Sequence, residues 1–226
     1  DPFFHNNYNT YQLVSDETRQ AIFSGLAPYD NIDAIFVSHA HSDHFSAQDI
    51  LDFLQKHPKT QLFASTQATD QILALENSES VKNQLTSFAL EYGDKVQTLT
   101  WNDLLIEVVR IPHSGWPTSR LEISNLLFRV TLSDDVTVIH MGDADPNDVH
   151  FKPYQQHWSK VKTNTAFPPY WFFGSTYGPM ILEQRINTEK SIGIHVPVNI
   201  PDSLKKTGKV YFSNPGEQAK ISHKHD

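Results

Sequence analysis

The sequence contains no cysteine, which excludes disulfides and thiolate metal sites and leaves no mark of the redox compartment. It has no unbroken apolar stretch of the length a membrane-spanning helix requires, so no membrane partner is expected. Basic residues are scarce: 18 Lys and Arg stand against 26 Asp and Glu, a formal net charge of −8, with no basic cluster to offset it. Binding a nucleic acid requires a Lys/Arg surface to neutralise phosphates, so no nucleic-acid partner is expected either. Repeats and low-complexity tracts are missing. So is an initiator methionine: the chain opens on Asp1-Pro2-Phe3-Phe4, which reads as a processed or truncated start.

What is present fits one sizeable α/β domain. The 226 residues are 38% hydrophobic and 19% charged, and twelve of them are histidine, many for this length. Asp33 to Ser38 is a short β-branched apolar run and predicts a buried strand. Residues 46–57 carry Ile50, Leu51, Phe53 and Leu54 at helical spacing, with Ser46 as the N-cap and Pro58 as the stop. Residues 60–64 predict a second strand and 66–90 one or two helices. Between Lys95 and His140 four apolar runs separated by turn signals predict strands. Those signals include Trp101-Asn102-Asp103 and Ser133-Asp134-Asp135. Residues 143–179, rich in Pro, Asn and aromatics, predict mostly loop. A helix over 178–186, a strand over 191–196 and a polar tail with a strand-like Val210-Tyr211-Phe212 complete the expectation. Strand–helix alternation around a strand-rich middle implies sheets covered by helices.

The chemistry concentrates at the carboxyl end of the first predicted strand, in His39-Ala40-His41-Ser42-Asp43-His44. A tight loop there can aim several side chains at one point, and imidazole nitrogen with carboxylate oxygen is the donor set that suits zinc. This H-x-H-x-D-H run after an apolar strand resembles the signature of the metallo-β-lactamase superfamily, and the resemblance predicts three more ligands downstream, for which His113, Asp143 and His195 stand as candidates at the ends of predicted strands. Asp145 is a weaker alternative to Asp143. His5, His57, His150, His157, His223 and His225 fit no ligand position and read as surface or local hydrogen-bonding residues. His140 is open between a supporting and a proton-donating role.

The resemblance implies a four-layer αββα sandwich, here one domain over residues 1–226. It also implies two zinc ions, with manganese or iron as alternatives. His39, His41 and His113 would hold one ion, Asp43, His44 and His195 the other, and Asp143 would bridge them. A zinc-bridged hydroxide would then attack an ester, lactone or phosphodiester, with Asp43 orienting it, so Asp43 and Asp143 are the expected catalytic residues and the partner is a small-molecule substrate. Asp1-Pro2 resembles the ending of the strand that precedes the loop in the superfamily, where the Asp supports a ligand histidine. On that reading the fold's first strands lie upstream of this chain.

Branches of the superfamily separate on the same residues. The β-lactamases with a cysteine ligand are excluded, His41 in place of Glu disfavours the flavodiiron reductases, and the acidic balance disfavours the tRNA-processing nucleases. The stretch from Gly142 to His195 looks most like the broad, unassigned hydrolase branch. Two alternatives stay open: a metal-binding module without turnover, and a single-iron sulfur dioxygenase. For residues 167–173 three roles compete: core packing, a substrate-pocket wall and a partner surface. Trp116 is a second candidate for the pocket mouth. Proteins with this Asp-Pro-Phe-Phe and H-A-H-S-D-H pattern often look exported, which leans the expectation towards a periplasmic or secreted location.

Overall fold

The computed structural model describes residues 1–132 and 135–221 and falls into two compact units, Asp1–Leu90 and Glu91–Asp226. In the first, helix α1 (Asp16–Phe23) precedes strand β1 (Ala34–Val37), helix α2 (Ala47–Lys56), strand β2 (Gln61–Ser65), helix α3 (Thr66–Leu73), a 3-10 turn (Ser78–Gln84) and strand β3 (Leu85–Phe88). The strands form a parallel sheet in the order β1-β2-β3. Parallel neighbours need long crossovers, and α2 and α3 with the 3-10 turn supply them.

Ser46 caps α2 as expected, its side chain accepting from Asp49 N, and the helix stops one residue before the His57-Pro58 pair. The apolar face of α2 buries Ile50, Leu51, Phe53 and Leu54 in a core shared with Val37, Leu62, Ala64 and Ile72. Burying each large side chain contributes roughly 1.5–3 kcal/mol. Phe53 is the hinge pin of this packing, with Phe3 at 5.0 Å and the His57 ring stacked at 4.2 Å. The expectation of helix through residue 90 is corrected at its end: Leu85–Phe88 pairs with β2 as a strand. Its alternation is weak because only Phe88 of the four is fully buried.

The second unit is built on a six-stranded sheet in strictly sequential order. Strands β4 (Gln97–Trp101), β5 (Leu104–Arg110), β6 (Leu126–Thr131) and β7 (Thr137–His140) form an antiparallel meander. Asn102, at φ 48°, takes the left-handed conformation the β4–β5 hairpin demands. Strands β8 (Thr163–Phe167) and β9 (Thr188–Ser191) then add in parallel. The core of this unit packs Val109, Leu127, Ile139, Phe151, Trp158 and Phe172.

Residues 143–179 are not mostly loop. They contain the short helices α4 (Asp148–Phe151) and α5 (Gln155–Trp158), the central strand β8 and a 3-10 turn over Tyr170–Gly174. β8 escaped notice because Thr163, Asn164 and Thr165 are polar. Thr163 and Thr165 are nonetheless buried, and the Thr163 hydroxyl bonds to Ile186 O at 2.9 Å and receives Arg129 Nε at 3.1 Å. The helical expectation for 178–186 holds as α6 (Gly178–Met180) continued by a π-helical turn over Ile181–Arg185.

The last strand is displaced. β9 lies at Thr188–Ser191, a polar edge with no alternation to reveal it, while the apolar residues 192–196 make only isolated bridges, Gly193 to Tyr211 and Pro169 to Ile194. Gly193 is needed for that approach, since a Cβ there would meet Phe173 Cε2 at 2.7 Å. Tyr211 alone of the expected Val210–Phe212 strand forms a bridge, and helix α7 (Asp202–Lys206) occupies part of the tail expected to be irregular. Ser133 and Asp134 of the expected turn, with His223 and His225, lie outside the described residues. Among the described residues no helix is long and apolar enough to cross a membrane.

Candidate metal centre

In the first unit the expected ligand run follows β1 directly. His44 N and Phe45 N both donate to His41 O at 2.9 Å, closing a tight turn. Phe3 bridges to Phe45, which brings the chain's opening residues beside this turn. Asp1 is the organiser. Its carboxylate accepts Ser38 N at 2.6 Å, Ser38 Oγ at 2.7 Å and His44 Nδ1 at 2.9 Å. The expected supporting role of Asp1 is therefore seen in its geometry, and Ser38, to which no role was given, is its partner.

These bonds set the imidazole tautomers. The single Ser38 hydroxyl proton goes to Asp1, so at the 2.9 Å contact between Ser38 Oγ and His39 Nδ1 the ring nitrogen is the donor. His44 Nδ1 likewise donates, because a carboxylate only accepts. In a neutral ring a protonated Nδ1 leaves the lone pair on Nε2, so both His39 and His44 present Nε2. The rings of His39 and His44 lie 4.1 Å apart, and His41 turns Nδ1 to within 3.1 Å of His39 Nε2. That spacing satisfies an N–H···N bond or a shared cation. Asp43 Oδ2 stands 3.8 Å from His44 Nε2.

In the second unit the convergence is topological. β5 and β7 both run antiparallel to β6, and β8 and β9 run parallel to β7, so β5, β7, β8 and β9 all point the same way. Their carboxyl ends share one edge of the sheet, and His113, Asp143 and His195 follow β5, β7 and β9. His113 bridges to Ala144, and Ser114 N donates to Asp143 O at 2.8 Å. His195 is not inside a strand as expected. It sits four positions past β9 at φ 58°, a conformation costly for a non-glycine residue and frequent where a side chain must be aimed.

The resulting contacts centre on Asp143, whose Oδ2 lies 3.3 Å from His113 Nε2 and whose Oδ1 lies 3.3 Å from His195 Nε2. His113 Nδ1 is committed to Ser114 O at 2.9 Å, so in the neutral ring its Nε2 is a lone pair facing a carboxylate. Two acceptors turned towards each other in a buried setting require a cation between them, a proton or a metal ion. The carboxylate is itself fixed from behind. Asn125, fully buried, accepts Asp143 N at 3.0 Å and directs its amide to Ile111 O and Met141 O, tying the ends of β5 and β7 together. Asn125 was missed in the sequence; a fully buried amide at the head of the apolar run 126–131 was its only signal.

The donor set fits divalent metal ions: imidazole nitrogens with the opposite ring nitrogen hydrogen-bonded to oxygen, and carboxylates beside them, are the arrangement metal-ligating histidines adopt. Each of the seven expected ligands belongs to a set of His and Asp donors that could hold an ion. Among the described residues the other histidines belong to none of those sets. His5 pairs with Asp49, His57 with Phe23 O, and His157 with Glu107. His150 takes the hydrogen-bonding reading and not the surface one: it is 1% exposed, with Nδ1 2.9 Å from Tyr92 Oη. His140 closes β7 opposite Phe128.

Core packing, one of the three roles expected for the aromatic segment, is seen for Phe172 and Phe173. Tyr170 and Trp171 pack against that core and line a cavity of about 240 Å³ with Gly174, Ser175, Ser203 and Leu204. Trp171 donates Nε1–H to Ala144 O at 3.1 Å and sets its ring edge-on to His195 at 5.5 Å.

Comparison with known proteins agrees with this architecture. Residues 11–157 match the family model described as the β-lactamase superfamily domain, and the chain belongs to that family. It is thus a member of a metal-binding hydrolase family of the metallo-β-lactamase fold. Its structure is similar to that of an isothiocyanate hydrolase from Delia radicum gut bacteria, at 15% identity over 78% of this chain and 69% of the other, with a TM-score of 0.47. It is also similar to a diphosphatase of the PhnP family (10% identity, 89% and 75% covered, TM-score 0.46). Unliganded yeast PDE1 is a third (11% identity, 86% and 69% covered, TM-score 0.47). No curated protein matches the sequence.

Proposed function

We propose that the chain is a zinc-dependent hydrolase acting on an ester, lactone or phosphodiester, with a two-metal centre in one catalytic domain over residues 1–226. His39, His41 and His113 would hold one ion and Asp43, His44 and His195 the other, with Asp143 shared. The observation that carries this reading is Asp143, straddled by His113 and His195 at 3.3 Å on either oxygen while His113 commits its other ring nitrogen to Ser114 O. Bound there, two divalent ions would supply a Lewis acid and a water that ionises near neutral pH.

The rest of the chemistry falls to the chain's own groups. Asp1 and Ser38 hold His39 and His44 in their tautomers, and Asn125 fixes the Asp143 backbone. Asp43, with a side chain only 9% exposed and 3.8 Å from His44 Nε2, would orient the attacking water. The cavity beside Trp171 favours a substrate with an apolar part.

The test is metal content by mass spectrometry alongside turnover of bis(p-nitrophenyl) phosphate, aryl esters, acyl lactones and a chromogenic cephalosporin. Two zinc ions per chain and hydrolysis of at least one substrate are expected. Asp43→Ala and Asp143→Ala should each lower that rate by about 10²-fold or more while the protein stays folded. One iron and no zinc would replace the reading with an iron oxygenase; bound zinc with every substrate inert would replace it with a binding module.

A further inference from the structure

Outside the seven ligands, His150 is the most deeply buried ionisable side chain among the described residues. It is carried on α4, whose N-cap Asn147 accepts Val149 N at 3.2 Å. Its Nδ1 lies 2.9 Å from Tyr92 Oη. Its Nε2 has no hydrogen-bond partner among the described residues and faces Asp145 Oδ1 at 3.5 Å. The Trp116 ring closes over it at 4.7 Å, perpendicular to the imidazole.

This carboxylate–imidazole–hydroxyl series lies against the ligand-bearing strand ends of the same unit. Asp145 N donates to Pro112 O at 2.8 Å, next to His113, and Asp145 itself is two residues past Asp143. One end is dry and the other wet: His150 is 1% exposed and Tyr92 48%. Partial burial holds the Tyr92 phenol above its ordinary range, so it keeps its proton at neutral pH. In such a series the carboxylate orients the ring, the ring takes or returns a proton, and the hydroxyl meets the reactant.

We propose that Tyr92, backed by His150 and Asp145, delivers the proton to the leaving-group oxygen. The inference rests on the hydrolase reading and narrows its substrate class to esters or lactones of aliphatic alcohols, whose alkoxides cannot leave unprotonated. Water adds to the carbonyl carbon, the bond from that carbon to the leaving oxygen breaks, and the electron pair stays on the oxygen. The Tyr92 hydroxyl proton moves to that oxygen, and the exposed Tyr92 oxygen takes up from solvent the proton that the attacking water released, so one water is consumed and the hydroxyl is restored. Tyr92 is the catalytic residue of the three; His150 and Asp145 act through it.

The experiment compares ethyl and p-nitrophenyl esters of one acid on zinc-loaded wild type and Tyr92→Phe. Nitrophenolate leaves without a proton and ethoxide does not, so the ratio of ethyl to nitrophenyl kcat/KM should fall about 10²-fold or more in the variant, the scale of general-acid catalysis. Equal losses on both esters would overturn the proposal. Nitrogen-15 spectra of the metal-free protein give a second readout: Tyr92→Phe should shift the His150 Nδ1 resonance, and an unmoved resonance would also overturn it. If wild type turns over neither ester but hydrolyses bis(p-nitrophenyl) phosphate, this proposal alone is overturned; if it hydrolyses no substrate of the whole panel, the hydrolase reading fails and takes this proposal with it.

Discussion

The two units assemble their donors by opposite means. The first sets His39, His41, Asp43 and His44 within one turn at the end of a single strand, and one carboxylate, Asp1, holds the turn through Ser38 and His44. The second collects His113, Asp143 and His195 from three strand ends far apart in sequence, which only the parallel directions of β5, β7 and β9 bring to one edge. In the first unit local chain geometry specifies the donors. In the second, sheet order specifies them, and a buried amide, Asn125, does the fastening. A local arrangement should therefore be sensitive to the few groups that orient it, and a topological one to the core that keeps the sheet in order.

The largest effects should come from the two cores. Phe53→Ala empties the centre of the first unit's aromatic packing, and Trp158→Ala removes the largest fully buried side chain of the second. Each should cost about 3–5 kcal/mol, read from denaturant midpoints. Hydrogen exchange would separate the two: the loss of protection should centre on β1 and β2 for Phe53→Ala and on β5 to β8 for Trp158→Ala. An even loss across residues 1–221 in both variants would break the contrast between a locally and a globally specified half.

Asp1→Ala probes the local half directly. It removes the acceptor for Ser38 and His44 without touching a ligand atom, so His39 and His44 lose the bonds that set their tautomers. Loss of such an orienting carboxylate typically weakens metal binding about 10–100-fold. Competition with a chelator should show that loss, with the thermal midpoint of the metal-free protein changing little. Unaltered affinity would mean that the turn orients its histidines unaided.

The same contrast explains what the sequence made legible. The H-x-H-x-D-H run and the strand before it are adjacent in the chain, so residue type and spacing sufficed to find the loop, the Ser46 cap and helix α2. His113 and Asp143 were found because the resemblance called for further ligands and each follows a visible apolar run. His195 was found as a residue but placed in the wrong element, because β9 is a polar edge strand and the apolar run after it mimics one. β8 stayed hidden for a related reason. Its buried threonines satisfy their hydroxyls through Arg129 and Ile186 O, contacts made only once the sheet exists. Asn125 and the Tyr92–His150–Asp145 series were illegible on the same ground, since polar groups buried by tertiary pairing carry no periodic signal.

The smallest effect tests a surface tie in the second unit. Arg185 donates to both Asp148 oxygens, at 2.7 and 2.9 Å, joining the π-helical turn to the start of α4. These bonds, more than the charge attraction alone, hold the Asp148 carboxyl below the usual carboxylate range. A carboxyl whose pKa is lower folded than unfolded adds stability that is full above its unfolded pKa, about 3.9, and is lost as pH falls through the folded value. Arg185→Met should therefore lower stability at pH 7 only slightly, since the pair is near solvent and screened. The gap between variant and wild type should close as pH falls below about 4, because protonated Asp148 no longer distinguishes them. Urea midpoints of both proteins at pH 7 and pH 3.5 measure it, and a gap of constant size would show that Arg185 acts through packing on Gln155 and its neighbours instead.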